Sequence, residues 1–278
     1  MQILLIRTVQ SAAFRILIEA LKEILTDVNI EFTASDPETK RSGGMRIMAM
    51  NNANSVLIHL KLDAHNFDHY EIQKSKITIG VNMLNLYRLI KTMSNNDTLS
   101  LYIDSDNINK LGIRIENGEK NSVSNFKLNL LDLEDDDIEV PPTEFESVLT
   151  MPSSDFHKIC RDMYNIAEYI EIKSVCKKLV FSCKGDFAQQ ETILGETDNG
   201  MCIDPDKAGE EDSALIVQGV YELKNLVLFT KCTNLCNNIE IFMKNDYPLV
   251  IKYTVASLGH IHLCLTPIIE NNDLIYDM

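Results

Sequence analysis

The sequence predicts an α+β protein made of two duplicated halves in which antiparallel strands outweigh helices. Three observations carry that reading. Four segments place apolar residues at helical spacing, short strand-like runs separate them, and the whole order recurs about half-way along the 278 residues. A chain of this length that is 45% hydrophobic can bury one large core or two ordinary ones, since domains usually run to about 100–150 residues.

Ser11–Asp27 (SAAFRILIEALKEILTD) sets Phe14, Ile16, Leu17, Leu21, Ile24 and Leu25 on one stripe, which predicts an amphipathic helix. Ser55–Leu62, Lys76–Val81, Leu99–Ile103 and Leu111–Ile115 are short β-branched or alternating runs broken by Asn, Asp and Gly, and predict antiparallel strands. Between them Asn82–Met93 (NMLNLYRLIKTM) returns to helical period, with Asn82 placed to cap it. Asp132–Thr143 (DLEDDDIEVPPT) joins an acidic run to paired prolines, which can continue neither a helix nor a central strand. It reads as a linker, 132–143, between domains 1–131 and 144–278.

Beyond the linker the order recurs. Ser153–Tyr169 reads as a capped amphipathic helix, and strand-like Lys178–Ser182 and Thr192–Leu194 follow it. Gly219–Thr233 (GVYELKNLVLFTKCT) then parallels Gly80–Ser94 (GVNMLNLYRLIKTMS), and a strand follows each, Ile239–Met243 or Leu99–Ile103. The helix starts at Ser11 and Ser153 are 142 residues apart and the glycines at 80 and 219 are 139 apart, the mark of an internal duplication. The strand-like runs LVIKYTV and HIHLCLT close the second half.

Acidic residues outnumber basic ones 41 to 26, for a formal net charge of -15. The average surface therefore repels a polyanion, and a nucleic-acid role requires positive charge gathered in one place. Every predicted helix supplies some on the side away from its apolar stripe. Arg15 and Lys22 are seven residues apart, Arg88 and Lys91 three apart, Lys158 and Arg161 with Asn165 follow i, i+3, i+7, and Lys224 with Lys231 repeats the seven-residue step. On a single helix such a face is ordinary solvation. Four in agreement point to phosphate contact, which is salt-sensitive and blind to base sequence.

Other chemistry is thin. All seven cysteines, from Cys160 to Cys264, lie in the second half without CxxC spacing, which suits plain thiols in a reducing compartment. Cys232 and Cys236 lack a partner pair at zinc-finger spacing. His260, His262 and Cys264 share a strand face at i, i+2, i+4 and could ligate a metal, but with no fourth ligand nearby they are expected simply to fill the strand. Asp204, Asp206 and Gly209 echo the start of a calcium loop, yet Ala208 and Leu215 replace oxygen ligands, so a solvated acidic loop is expected. No Walker loop, GxGxxG, HExxH or GxSxG occurs, and no cofactor is expected. The apolar Met1–Leu5 is interrupted by Arg7 and Gln10, so no leader or membrane span is expected and the chain reads as soluble and intracellular.

Six segments, in order, resemble the proliferating cell nuclear antigen (PCNA) family of DNA sliding clamps. LIEALKEIL (17–25) is similar to its first helix, GVNMLNLYRLIK (80–91) to its second, and FKLNLLDLEDDDIEVP (126–141) to its interdomain connecting loop. MPSSDFHKICRDM (151–163), LKNLVLFTKCTNL (223–235) and YPLVIKYTVASLGHIHLCLTPIIE (247–270) resemble its third helix, fourth helix and C-terminal strands.

The resemblance implies a processivity factor and not an enzyme: a head-to-tail homotrimer whose helices line a hole around double-stranded DNA and whose sheets form the outer wall. Arg15, Lys22, Arg88, Lys91, Lys158, Arg161, Lys224 and Lys231 match the family's basic channel positions, while Asn165 stands where relatives often carry a basic residue or His. Met50, Leu57, Ile138, Val140, Pro141, Phe145, Pro248, Cys264, Thr266, Pro267 and Ile269 match its pocket for partner peptides of the PIP-box kind, with Cys264 where a tyrosine is common. From composition alone those apolar residues would read as core. Subunits would pair through Ser122–Leu128 of one chain and about Gly185–Thr192 of the next. Implied partners are a DNA polymerase and a clamp loader, in a nucleus or a viral replication compartment. Rival readings are a monomeric processivity subunit, a member of a heterotrimeric checkpoint-type clamp, and a metal-dependent enzyme using Glu134–Asp137 or Asp204–Asp212.

Overall fold

The computed structural model describes residues 1–35, 42–134, 138, 140–204 and 216–268. In the first half the elements are β1 (Gln2–Thr8), α1 (Ser11–Ile24), β2 (Asp27–Thr33), β3 (Gly44–Met50), β4 (Val56–Asp63), β5 (His69–Ile72), β6 (Lys76–Asn82), α2 (Met83–Ile90), β7 (Thr98–Asp104), β8 (Lys110–Asn117) and β9 (Ser122–Asn129). The second half has β10 (Ser147–Pro152), α3 (Ser153–Tyr164), β11 (Tyr169–Val175), β12 (Lys178–Lys184), β13 (Gln189–Gly195), β14 (Cys202–Ile203), β15 (Val217–Glu222), α4 (Leu223–Phe229), β16 (Asn238–Met243), β17 (Leu249–Val255) and β18 (Gly259–Leu265). Each half thus runs strand, helix, five strands, helix, three strands, as the duplication in the sequence predicts. Pairing repeats as well. β1 lies between β5 and β7, and β10 between β14 and β16; β2 pairs with β3 and β6, and β11 with β12 and β15.

The chain forms two compact units, Met1–Pro141 with Asn234–Cys236 and Lys252–Leu263, and Pro142–Thr233 with Asn237–Ile251 and Cys264–Met278. The first unit recruits a late segment because β18 lies beside β4, and Asp63 donates its N–H to the Leu258 carbonyl at 2.9 Å. It has one sheet in the order β5-β1-β7-β8-β9 and a run β18-β4-β3-β2-β6. Period-two alternation decides what is buried: Val56, Ile58, Leu60 and Leu62 of β4 are fully buried, whereas Leu57, His59 and Lys61 are on the half-buried face. α1 packs on α2. Phe14, Leu17, Ile18 and Leu21 of α1 are almost wholly buried, each contributing roughly 1.5–3 kcal/mol. Ile18 holds the stripe position expected of Ile16, which is half-exposed, because the face centred on Phe14 and Leu21 reaches i+4 rather than i+2.

The second unit holds the sheet β13-β12-β11-β15 and the run β14-β10-β16. α3 packs on α4, and Phe156, Phe181, Tyr221 and Phe229 are among its largest buried side chains.

Four helix expectations need correction. α2 ends at Ile90 and not Met93, whose N–H donates to the Ile90 carbonyl in a turn. α1 ends at Ile24 and not Asp27: Leu25 is already extended (φ -117°, ψ 144°), and Asp27 opens β2. α3 ends at Tyr164 and not Tyr169, and Pro152 at its N-cap makes no side-chain capping bond. Ile166 and Ala167 close the end by donating to the Met163 carbonyl, and the alternating YIEIKSV pairs on both sides as β11. Ile166 and Ile170 merely prolong the helical period. The fourth helix is α only to Phe229 and continues as 3-10 from Thr230 to Leu235, where the Thr230 and Thr233 hydroxyls donate to carbonyls three residues back at 2.7 and 2.6 Å.

Candidate functional site

The eight cations follow from how each helix is built. Asn82 caps α2 by accepting the Asn85 N–H at 2.9 Å; with Met83, Leu86 and Ile90 buried, Arg88 and Lys91 are left exposed. On α3 the buried Phe156, Ile159, Cys160 and Met163 leave Lys158 and Arg161 outward, with the exposed Asn165 just past the helix. Lys224 and Lys231 are both exposed, but Lys231 lies in the 3-10 stretch, so the seven-residue step does not run along one α-helix. Arg15 on α1 is only partly exposed and Lys22 is mostly buried.

Carboxylates and amides temper these charges. Arg15 donates to Asn95 Oδ1 at 3.2 Å and Arg88 to Asn85 Oδ1 at 3.5 Å. Arg161 is 3.6 Å from Asp162, and Lys224 is 3.0 Å from Glu222, whose hydrogen bond raises the lysine pKa. Lys22 pairs with Glu23. In solvent such pairs are weak and exchangeable, so a polyanion can compete for the exposed cations. Sequence reasoning does not single out Tyr87, Glu19 or Glu23. The α1 to α2 spacing that brings them together is tertiary, although their positions on the solvated helical faces are a signal.

Of the pocket positions, Met50 and Leu57 face each other across the β3–β4 pair, and with Ile138, Val140 and Pro141 they fall in the first unit. Met50 and Val140 are 38% and 46% exposed, unusual for large apolar residues that merely fill a core. Phe145, Pro248, Cys264, Thr266 and Pro267 fall in the second unit. Phe145 rests on Phe242 and Tyr247, with ring centroids 5.4 and 5.8 Å apart, and Tyr247 accepts a 2.9 Å hydrogen bond from Thr143. Burial pushes the Cys264 thiol up to about 11. The Ile268 N–H donates to the Val220 carbonyl. Ile269 lies outside the described residues, as do Asp135–Asp137, Asp206, Ala208, Gly209 and Leu215.

Gly80, one of the two repeat markers, meets Leu131, the last residue before the expected linker. Leu131 donates to its carbonyl at 2.9 Å, and a Cβ there would collide with the Leu131 carbonyl. Metal chemistry gains no geometry: among the described residues no group of three or more His, Cys, Asp or Glu could hold an ion, and no disulfide joins the seven cysteines. His260 and His262 do share a face with ring centroids 4.8 Å apart, and His59 of β4, unmarked in the sequence, comes within 5.8 Å of His262. No helix among the described residues is long and apolar enough to cross a membrane.

Residues 3–139 match the family model for the N-terminal domain of proliferating cell nuclear antigen, and residues 139–268 match that for its C-terminal domain. The chain belongs to the PCNA family. Among PCNA-type relatives it is 33% identical over 269 residues to the "Probable DNA polymerase sliding clamp 1" of Paramecium bursaria Chlorella virus 1, covering 95% of this chain and 97% of that protein. It is 31% identical over 301 residues to the "Probable DNA polymerase sliding clamp" of Acanthamoeba polyphaga mimivirus, covering 98% of this chain but 63% of that longer protein. The α+β architecture with two PCNA domains is therefore shown by the family match and by the repeated element order together.

Proposed function

We propose that this PCNA-family chain is a DNA sliding clamp: a binding protein, not a catalyst, that closes around duplex DNA and holds a polymerase at its template. One observation carries the reading. β4 and β18 lie side by side, but their repeat counterparts, β13 and β9, both end their sheets with no neighbouring strand among the described residues. The duplication therefore calls for β9 of one copy to pair with β13 of another. Val123 and Ile193 on these edges are 52% and 55% exposed in the lone chain, and open edges of this kind are normally covered. Head-to-tail contacts of this type close by rotation into a ring; three copies would make the six-domain ring that the family resemblance implies.

In such a ring Arg15, Arg88, Lys91, Lys158, Arg161, Lys224 and Lys231 would meet the phosphate backbone. Lysine and arginine heads neutralise phosphate and release counterions without reading bases, and the net charge of -15 keeps the remaining surface repellent to DNA. Retention is then topological and tolerates weak contacts. On the first unit, Met50, Leu57, Ile138, Val140 and Pro141 would receive an extended peptide of PIP-box type from a polymerase or another partner. A dedicated loader would open and close the ring, and the protein would act wherever its DNA is copied, in a nucleus or a viral replication compartment. The domain boundary is proposed at 132–143. The test is retention: loaded protein should stay on circular DNA and dissociate when that DNA is linearised. Equal dissociation from both forms rejects the clamp.

A further inference from the structure

We infer that Lys22, although it belongs by spacing with the basic helix residues, is a positioning residue that clasps α1 to α2 and is not a phosphate contact; this rests on the DNA reading above. Its side chain is only 14% exposed, against 62% for both Arg161 and Lys224. The ammonium lies 4.8 Å from the centroid of the Tyr87 ring on α2, and Glu23 neutralises it from the next position of α1. The Tyr87 hydroxyl in turn donates to Glu19 Oε1 at 3.1 Å, so the same tyrosine is held to α1 at both its face and its tip.

The physical consequence follows from what each partner uses up. A lysine over an aromatic face is attracted by the negative quadrupole of the ring, and one largely buried there releases little counterion when a phosphate approaches. Arg88 and Lys91 are exposed and keep their charge available. Lys22 therefore acts through Tyr87: it fixes α2, which carries them.

The test separates charge from scaffold. Binding of a short labelled linear duplex is followed by fluorescence anisotropy over a salt series, and the thermal midpoint of each variant is recorded. Removing one cation that neutralises a phosphate should flatten the plot of log K against log salt by about 0.9. Arg88→Gln and Lys91→Gln are expected to do so with the midpoint unchanged. Lys22→Gln is expected to leave the slope alone and lower the midpoint by roughly 2–4 °C; Lys22→Arg should restore it. Tyr87→Leu should lower the midpoint similarly, and the Lys22→Gln/Tyr87→Leu double variant should fall no further than the worse single one. A slope flattened by Lys22→Gln as much as by Lys91→Gln, or additive midpoints in the double variant, overturns the clasp. If Arg88→Gln and Lys91→Gln leave the slope unchanged, the DNA reading of this helix pair fails instead, and the midpoints still decide the clasp.

Discussion

His59 and His262 meet across β4 and β18 as half-buried imidazoles that stay neutral at neutral pH. Burial, with help from the nearby charges of Arg46, Lys61, Lys252 and His260, holds both down at about 4 against an ordinary value of 6.5. The unfolded chain takes up protons at these positions as pH falls through 6.5, while the folded chain does not until about 4. The stability they contribute is therefore complete above 6.5 and declines progressively between 6.5 and 4. Replacing both with glutamine should make thermal midpoint against pH shallower in that window and leave it parallel to wild type above it. Identical slopes below 6.5 would show that the pair does not titrate in this way. His260 and His262 are visible in the sequence as a strand face; His59 is not, because its partner lies some two hundred positions away along the chain.

At the scale of elements, α2 shows how much local sequence can dictate. Asn82 extends from β6, accepts the Asn85 N–H, and donates its own amide to Asp27 at 2.7 Å. Asn82→Ala should cost about 1 kcal/mol, the usual value of an N-cap, and Asn82→Ser should recover most of it; urea unfolding with an unchanged denaturant slope is the check. The ends of α1 and α3 are harder to read. The apolar period runs on past Ile24 and Tyr164, and only the pairing of Asp27–Thr33 and Tyr169–Val175 with their neighbours turns those residues into strands. Propensity is a weak prior that a completed hydrogen-bond ladder overrides.

For the whole molecule, the proposed ring depends on the open edges of β9 and β13. Ile193→Asp adds a charge to an exposed residue, so the fold should be kept, with a stability change within about 0.5 kcal/mol. Under native mass spectrometry the wild-type protein should appear as three copies of the 31.5 kDa chain and the variant as one. A wild-type mass of a single chain removes the ring, and a variant that still assembles removes β13 from the contact.

By itself the sequence determined the α+β class, the two-fold repeat and the exposed positions of Arg88, Lys91, Lys158 and Arg161. The class and the exposed positions depend on periodicity and charge within a dozen residues, and the repeat on the recurrence of such local patterns along the chain. Tertiary structure alone decided where α1 and α3 stop being α-helical, that β18 lies beside β4 while β13 and β9 stay open, and that His59 joins His262. It also decided that one cation of the helical set, Lys22, is held under Tyr87. Such outcomes rest on strand pairing and helix packing between residues distant along the chain, which no local pattern encodes.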